Sequence, residues 1–127
     1  MATGLSPFVA NGWLDALGNS TSFSVAEVYV QLHVGDPGAA GTANPAQETG
    51  RREVSFAAAS GASLVSDADV SWVNISGGQD AEFFSAWSAA TTGNFLFSGT
   101  IVSDAYTAGD TFTIPSGSLS VSLAVAS

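Results

Sequence analysis

Apolar residues near the start of the chain recur at helical spacing. The stripe consists of Val9, Trp13 and Leu17, widened by Phe8 and Leu14. Ser6 can cap the first free N–H groups, and Pro7 suits the first helical position. Gly18 is placed to end the helix in a left-handed conformation. The pattern predicts one helix over about residues 6–17. Trp13 either packs into the core, so that Trp13→Ala costs about 3–5 kcal/mol, or the helix docks on a partner or on nothing and the cost is below about 1 kcal/mol.

From Val28 onward the apolar period changes to two, which is typical of β-strands. Further apolar runs are Val54–Phe56, Val70–Ile75, Ala81–Trp87, Asn94–Val102, Thr111–Pro115 and Ser118–Val125. Turns rich in Gly, Asn and Asp separate these runs, which is typical of antiparallel all-β folds. We expect a jelly-roll-like antiparallel β-sandwich of seven or eight strands with one short N-terminal helix. A length of 127 residues fits a single domain over residues 1–127.

One long stretch, residues 35–50, shows no regular period. Loops of this length are usually functional or disordered. The Asp36-Pro37-Gly38 sequence predicts a turn in which Gly38 needs a positive φ. We therefore treat this loop as a candidate intersubunit contact, through Asp36, Pro37 and Asn44. Leu5 and Phe8 are further candidates, and ordinary core packing is the alternative for both.

The chain is acidic and carries few charges. Only 10% of its residues are charged, against about 25% in typical domains, and the net charge is −9. Such a surface repels phosphate and anionic membranes, so we expect neither nucleic acid nor a membrane as partner. A low-charge surface suits a protein that is covered by partners, and compositional bias of a GC-rich genome is the alternative explanation.

The only basic side chains are Arg51 and Arg52, directly after the irregular stretch. They could neutralise Glu48 and Glu53 locally. They could also contact an acidic patch on a neighbouring copy, since the arginine fork matches carboxylates. Both arginines are therefore candidate intersubunit contacts.

The candidate chemistry is sparse. The chain has no cysteine, which excludes disulfides and thiol nucleophiles. His33, the only histidine, lies on the polar face of its strand, and without a Gly-x-Ser-x-Gly elbow we interpret it as structural. The pairs Asp67/Asp69 and Asp80/Glu82 do not fit a twelve-residue calcium loop. We therefore expect no enzyme activity, no cofactor and no metal site. A small glycan-processing enzyme is the least favoured alternative.

Several motifs together resemble a known family. They are "LHVGDPGAAGTAN", "FFSAWSAATTGNFLFSG", "FTIPSGSLSVSL" and, in the helix, "ANGWLDAL". In this order they resemble small virion proteins of tailed phages, especially actinobacteriophages, identified as tail-fibre-like, minor tail or minor capsid proteins. The resemblance implies a virion component without catalytic residues, made in the host cytoplasm.

Two roles within a virion follow from this resemblance. The preferred one is a capsid decoration protein that binds the major capsid protein from outside as a homotrimer and stabilises the assembled head. The alternative is a tail-fibre or minor tail protein that binds other tail proteins and contacts the host surface, where Tyr29 and Tyr106 could bind sugars.

Overall fold

The described part of the chain consists of one helix and eight strands. A computed structural model describes residues 3–77, 80–105, 107–123 and 126. Helix α1 spans Pro7–Gly18. The strands are β1 Val28–His33, β2 Arg52–Val54, β3 Ser63–Val65, β4 Val70–Trp72, β5 Asp80–Trp87, β6 Phe95–Ala105, β7 Phe112–Ile114 and β8 Ser120–Ser122. Tyr106 and Val125, named in the predictions above, lie outside the described residues.

All paired strands are antiparallel. A four-stranded sheet has the order β2-β1-β5-β6, and two further pairs are β3–β8 and β4–β7. In the large sheet, Val30 lies opposite Ala86 and Leu32 lies opposite Phe84, so these four residues share its inner face. They belong to the same hydrophobic core as Trp72 of β4. The predicted antiparallel β-sandwich with one N-terminal helix is confirmed.

The C-terminal strand is shorter than its alternation predicts. Leu119 is buried, Val121 is half-buried, and Leu123 is 46% exposed. Within the described residues, strand β8 pairs with the three residues of β3, so it is supported over a short length and Leu123 lies at the surface. Strand β3 was not predicted, because Ser63–Val65 is too short to show a period.

Helix α1 begins as predicted and ends differently. The Ser6 hydroxyl accepts the N–H of Val9 at 3.2 Å, which is the expected N-cap. The predicted left-handed conformation of Gly18 is wrong, because its φ is not positive. Instead, the Asn19 N–H donates to the Asp15 carbonyl at 2.8 Å, and the Asn19 side chain donates to the Asp15 carboxylate at 3.0 Å. These two bonds close the helix without a glycine cap.

The segment before α1 is tied to the edge of the large sheet. Leu5 forms a β-bridge with Phe97, and the Ser6 N–H donates to the Leu96 carbonyl at 2.8 Å. Leu5 is half-buried against the core. The helix is therefore held at the β6 edge of the sheet.

Candidate functional site

Two of the motifs quoted above, "LHVGDPGAAGTAN" and "FFSAWSAATTGNFLFSG", meet at the buried side chain of His33. His33 Nδ1 lies 2.8 Å from the Ala43 carbonyl oxygen, and His33 Nε2 lies 2.7 Å from Ser85 Oγ. The Trp87 indole N–H donates to the same Ser85 oxygen at 2.7 Å. His33 and Ser85 both have 0% exposure. The network thus joins the end of β1, the loop after it and the centre of β5.

The partners of His33 fix its protonation. A carbonyl oxygen can only accept, so Nδ1 carries the proton and Nε2 accepts the Ser85 hydroxyl. Burial is the main cause that lowers the pKa of His33, so the ring is neutral at neutral pH. A serine hydroxyl on a histidine nitrogen is also how a nucleophile is activated. Here both groups are fully buried, and their hydrogen bonds join the loop after β1 to strand β5.

Sequence reasoning missed two members of this network, Ser85 and Trp87. It placed His33 on the polar face of its strand, which is the outer face of the sheet, and did not predict that the loop covers this face. A serine inside the apolar run "FFSAW" was the available signal. A buried hydroxyl needs a partner, so its position opposite β1 pointed to a polar neighbour.

The irregular stretch is bonded to itself and to β1. The Asp36 carboxylate accepts the Gly38 N–H at 2.8 Å, and the Asn44 side chain donates to the Asp36 carbonyl at 2.9 Å. The Pro37 carbonyl accepts the Ala43 N–H at 2.8 Å. Gly38 has φ +80°, as the predicted turn requires. Pro37 is buried, Asp36 is half-buried and Asn44 is exposed.

The tip of this loop rests on an aromatic ring. Gly41 has φ +78°, and a Cβ built there would collide with the ring of Phe95 on β6. Phe95 in turn packs on Trp87 at a ring-centroid distance of 5.5 Å. Loop and sheet therefore fit closely, and only glycine is compatible with this approach.

The Arg51 side chain stabilises the turn between β5 and β6 from the outer face of the sheet. Its guanidinium donates to the Ala89 carbonyl at 2.9 Å and to the Thr92 carbonyl at 2.7 Å. It also lies 4.2 Å from the centroid of the Trp87 ring, a cation–π contact. A third bond runs from its Nε–H to the side-chain oxygen of Gln31 at 3.2 Å, so three of its five donors are engaged within the chain. Arg52 is half-buried and donates to the carbonyl of Arg51 at 3.0 Å.

Helix α1 has an exposed apolar surface. Val9 is its one buried residue, at 4% exposure. Trp13 is 39% exposed, so of the two alternatives for this side chain, burial in the core of the chain is not what the structure shows. Four large apolar helix residues are exposed, namely Phe8 (44%), Trp13 (39%), Leu14 (62%) and Leu17 (85%). Within residues 3–77, 80–105 and 107–123, the sandwich contacts the helix along one side and leaves these four side chains exposed. Phe8 packs edge-on against Phe23 at 5.6 Å between ring centroids.

Tyr29 is a second surface aromatic residue, on the outer face of β1. Its hydroxyl donates to the Glu27 carboxylate at 2.6 Å, and this hydrogen bond raises the pKa of the Tyr29 phenol. Glu53 on β2 lies directly opposite. Tyr106, its predicted companion in sugar binding, lies outside the described residues.

The described residues contain no group of three or more His, Asp or Glu side chains arranged to hold a metal ion. They also contain no helix with the length and apolarity needed to span a membrane.

The chain is similar to one family of known proteins. A family model described as podophage GP4 fiber I protein gp80 matches residues 4–122. The match runs from the segment before α1 to the end of β8, and it includes every residue of the motifs quoted above except Leu123. A comparison with curated proteins finds no match.

Proposed function

We propose a tail-fibre role for this chain, which belongs to the podophage GP4 fiber I protein gp80 family. The chain is thus a member of a phage fibre-type structural protein family. The family match over residues 4–122 is the observation that carries the proposal. It favours the fibre or minor tail role over capsid decoration, the role preferred from the sequence.

The structure supports a role in contact rather than in chemistry. His33 and Ser85 are sealed from solvent, and Arg51 binds carbonyl groups of its own chain. These groups hold the loop and the hairpin in place. They make the module rigid, and rigid modules lose less conformational entropy when they assemble.

The partners we propose are neighbouring copies and other tail proteins, and the location is the virion. Among the predicted contact residues, Phe8 and Asn44 are the exposed ones. Leu5 and Pro37 lie further inside the fold, where they support their neighbours. Tyr29 and Glu53 could contact host-surface sugars through stacking and hydrogen bonds.

Two measurements on virions that carry this chain test the proposal. Antibodies against the chain, imaged by electron microscopy, should label the tail and leave the head bare. Quantitative mass spectrometry should find far fewer copies of the chain than of the major capsid protein. Uniform labelling of heads, with a copy number similar to that of the capsid protein, would overturn the fibre role and restore the decoration role.

A further inference from the structure

The exposed side of α1 continues into two apolar grooves. The larger, about 290 Å³, runs between the helix and the sheets, and its walls include Val9, Trp13, Phe23, Leu64, Phe97 and Val121. The smaller, about 120 Å³, shares Trp13, Leu64 and Val121 with the first and ends at Leu123. We call this surface the α1 face: the two grooves together with Phe8, Trp13, Leu14, Leu17 and Leu123.

The α1 face combines a ridge with a hollow. At about 100° per residue, Leu17 and Leu14 follow Trp13 around the helix, away from the core-facing Val9. They are exposed at 85% and 62%, so they project beside the grooves. In an isologous interface the same patch meets itself, so the ridge of one copy can fill the hollow of the other. Because the α1 face has both projecting leucines and grooves, two copies of it are complementary to each other.

The distribution of charge favours a second copy. The chain carries −9, so identical copies repel each other wherever carboxylates meet. Among the residues that the structure describes, no charged one lines either groove. Asp15 is the one charged residue of α1, and it is hydrogen-bonded to Asn19. An equally acidic copy can therefore approach this face with little repulsion.

The apolar area also fits self-association. The five side chains are between 39% and 85% exposed. Since a large apolar side chain of the aromatic class covers about 150–250 Å² when it is buried, the five together present on the order of 500 Å². With the groove walls, two such faces approach the roughly 1,200–2,000 Å² of a stable interface. Interfaces between identical subunits are more apolar than those of transient complexes, which resemble ordinary surface.

We propose that the α1 face is where a second copy of this chain docks. The proposal deepens the fibre role, whose neighbouring copies it places at a defined surface. In the associated form Leu14 and Leu17 lie in the hollow of the partner, and Trp13 is covered.

The test is the solution mass of the purified chain together with the accessibility of Trp13. The other two tryptophans, Trp72 and Trp87, are 0% and 8% exposed, so acrylamide quenches mainly Trp13 in a dilute monomer. Light scattering after size exclusion should show an oligomer at micromolar concentration, and quenching should fall as it forms. The variant Leu14→Gln/Leu17→Gln should be monomeric, remain quenchable and keep the thermal midpoint that the wild type has when it is dilute and monomeric.

Val73→Gln is the matched control, because Val73 is 69% exposed on the turn after β4 and outside the α1 face. It should associate like the wild type. A wild-type chain that stays monomeric at high concentration overturns the proposal, and so does a double variant that associates normally. Neither result affects the fibre role, which antibody labelling decides separately.

Discussion

Helix α1 and strand β5 are both rich in apolar residues, yet only β5 is covered on both sides. In β5, Ala81, Phe84 and Ala86 are at most 1% exposed on the inner face. Its outer face is also closed in the second half of the strand, with Ser85 at 0% exposure and Trp87 at 8%. In α1, by contrast, Leu17 is 85% exposed.

The difference comes from position. Strand β5 lies between β1 and β6, and Arg51 closes its outer face over Trp87. Helix α1 lies at the β6 edge, where the sandwich reaches one side only. An apolar face without an internal partner is what a docking surface needs.

The largest effect should come from a tryptophan in the core. Replacing Trp72 by Ala should cost about 3–5 kcal/mol, because it leaves a cavity and removes the 2.7 Å hydrogen bond from its indole N–H to the Gly50 carbonyl. Trp13→Ala should cost about 2 kcal/mol in the dilute chain, since part of its ring is already in water. Urea unfolding measures both losses of stability. Equal losses would contradict the account, because Trp13 would then contribute as much as the buried Trp72.

A substitution at Gly41 should disrupt the packing of the loop against the outer face of the sheet. Gly41→Ala should destabilise the fold by about 2–4 kcal/mol, because alanine is strained at positive φ and its Cβ collides with Phe95. Gly18→Ala is the control within α1, where a Cβ meets nothing within 4 Å. It should stabilise the helix by about 0.5–1 kcal/mol. Destabilisation by Gly18→Ala would contradict the helix end described here.

The buried network should respond to loss of one hydroxyl. Ser85→Ala removes the partner of His33 Nε2 and of the Trp87 indole N–H, and each unsatisfied buried group costs about 1–3 kcal/mol. Ser71→Ala, which removes only an exposed bond to Thr113, should cost under about 0.5 kcal/mol. Similar costs in chemical unfolding would show that the network stabilises nothing.

Acid should destabilise the same network. Burial lowers the pKa of folded His33 below its ordinary 6.5, so on acidification the unfolded chain takes up the proton first. The contribution of His33 is therefore complete above pH 6.5 and is lost as the pH falls below it. The free energy of unfolding should decline from about pH 6.5 to 5, and His33→Gln should flatten this decline. An unchanged slope in the variant would assign the decline to other groups.

The sequence predicted where the helix and the strands form better than it predicted which of their residues are buried. The period-two runs predicted β1 and β5, and Ser6-Pro7 predicted the start of α1, because these signals are local. The burial of His33 depends on a loop that folds back from ten residues away, and no period records that. The exposure of Trp13 depends on how far the sheets extend beneath the helix. For the candidate site, the sequence predicted Arg51 as a partner of nearby carboxylates or of a neighbouring copy. It could not predict the two carbonyl groups that Arg51 binds, because they lie about forty residues along the chain.

The central claim is that the exposed apolar α1 face becomes buried when the chain assembles with a second copy. The most direct test is incorporation into virions, with the chain quantified by mass spectrometry in phage that encode Leu14→Gln/Leu17→Gln or the control Val73→Gln. Both variants should leave the stability of the isolated chain within about 0.5 kcal/mol of the wild type, because these side chains are exposed. The account predicts particles that lack the double variant and contain the control at the wild-type level. Equal incorporation of both would contradict it.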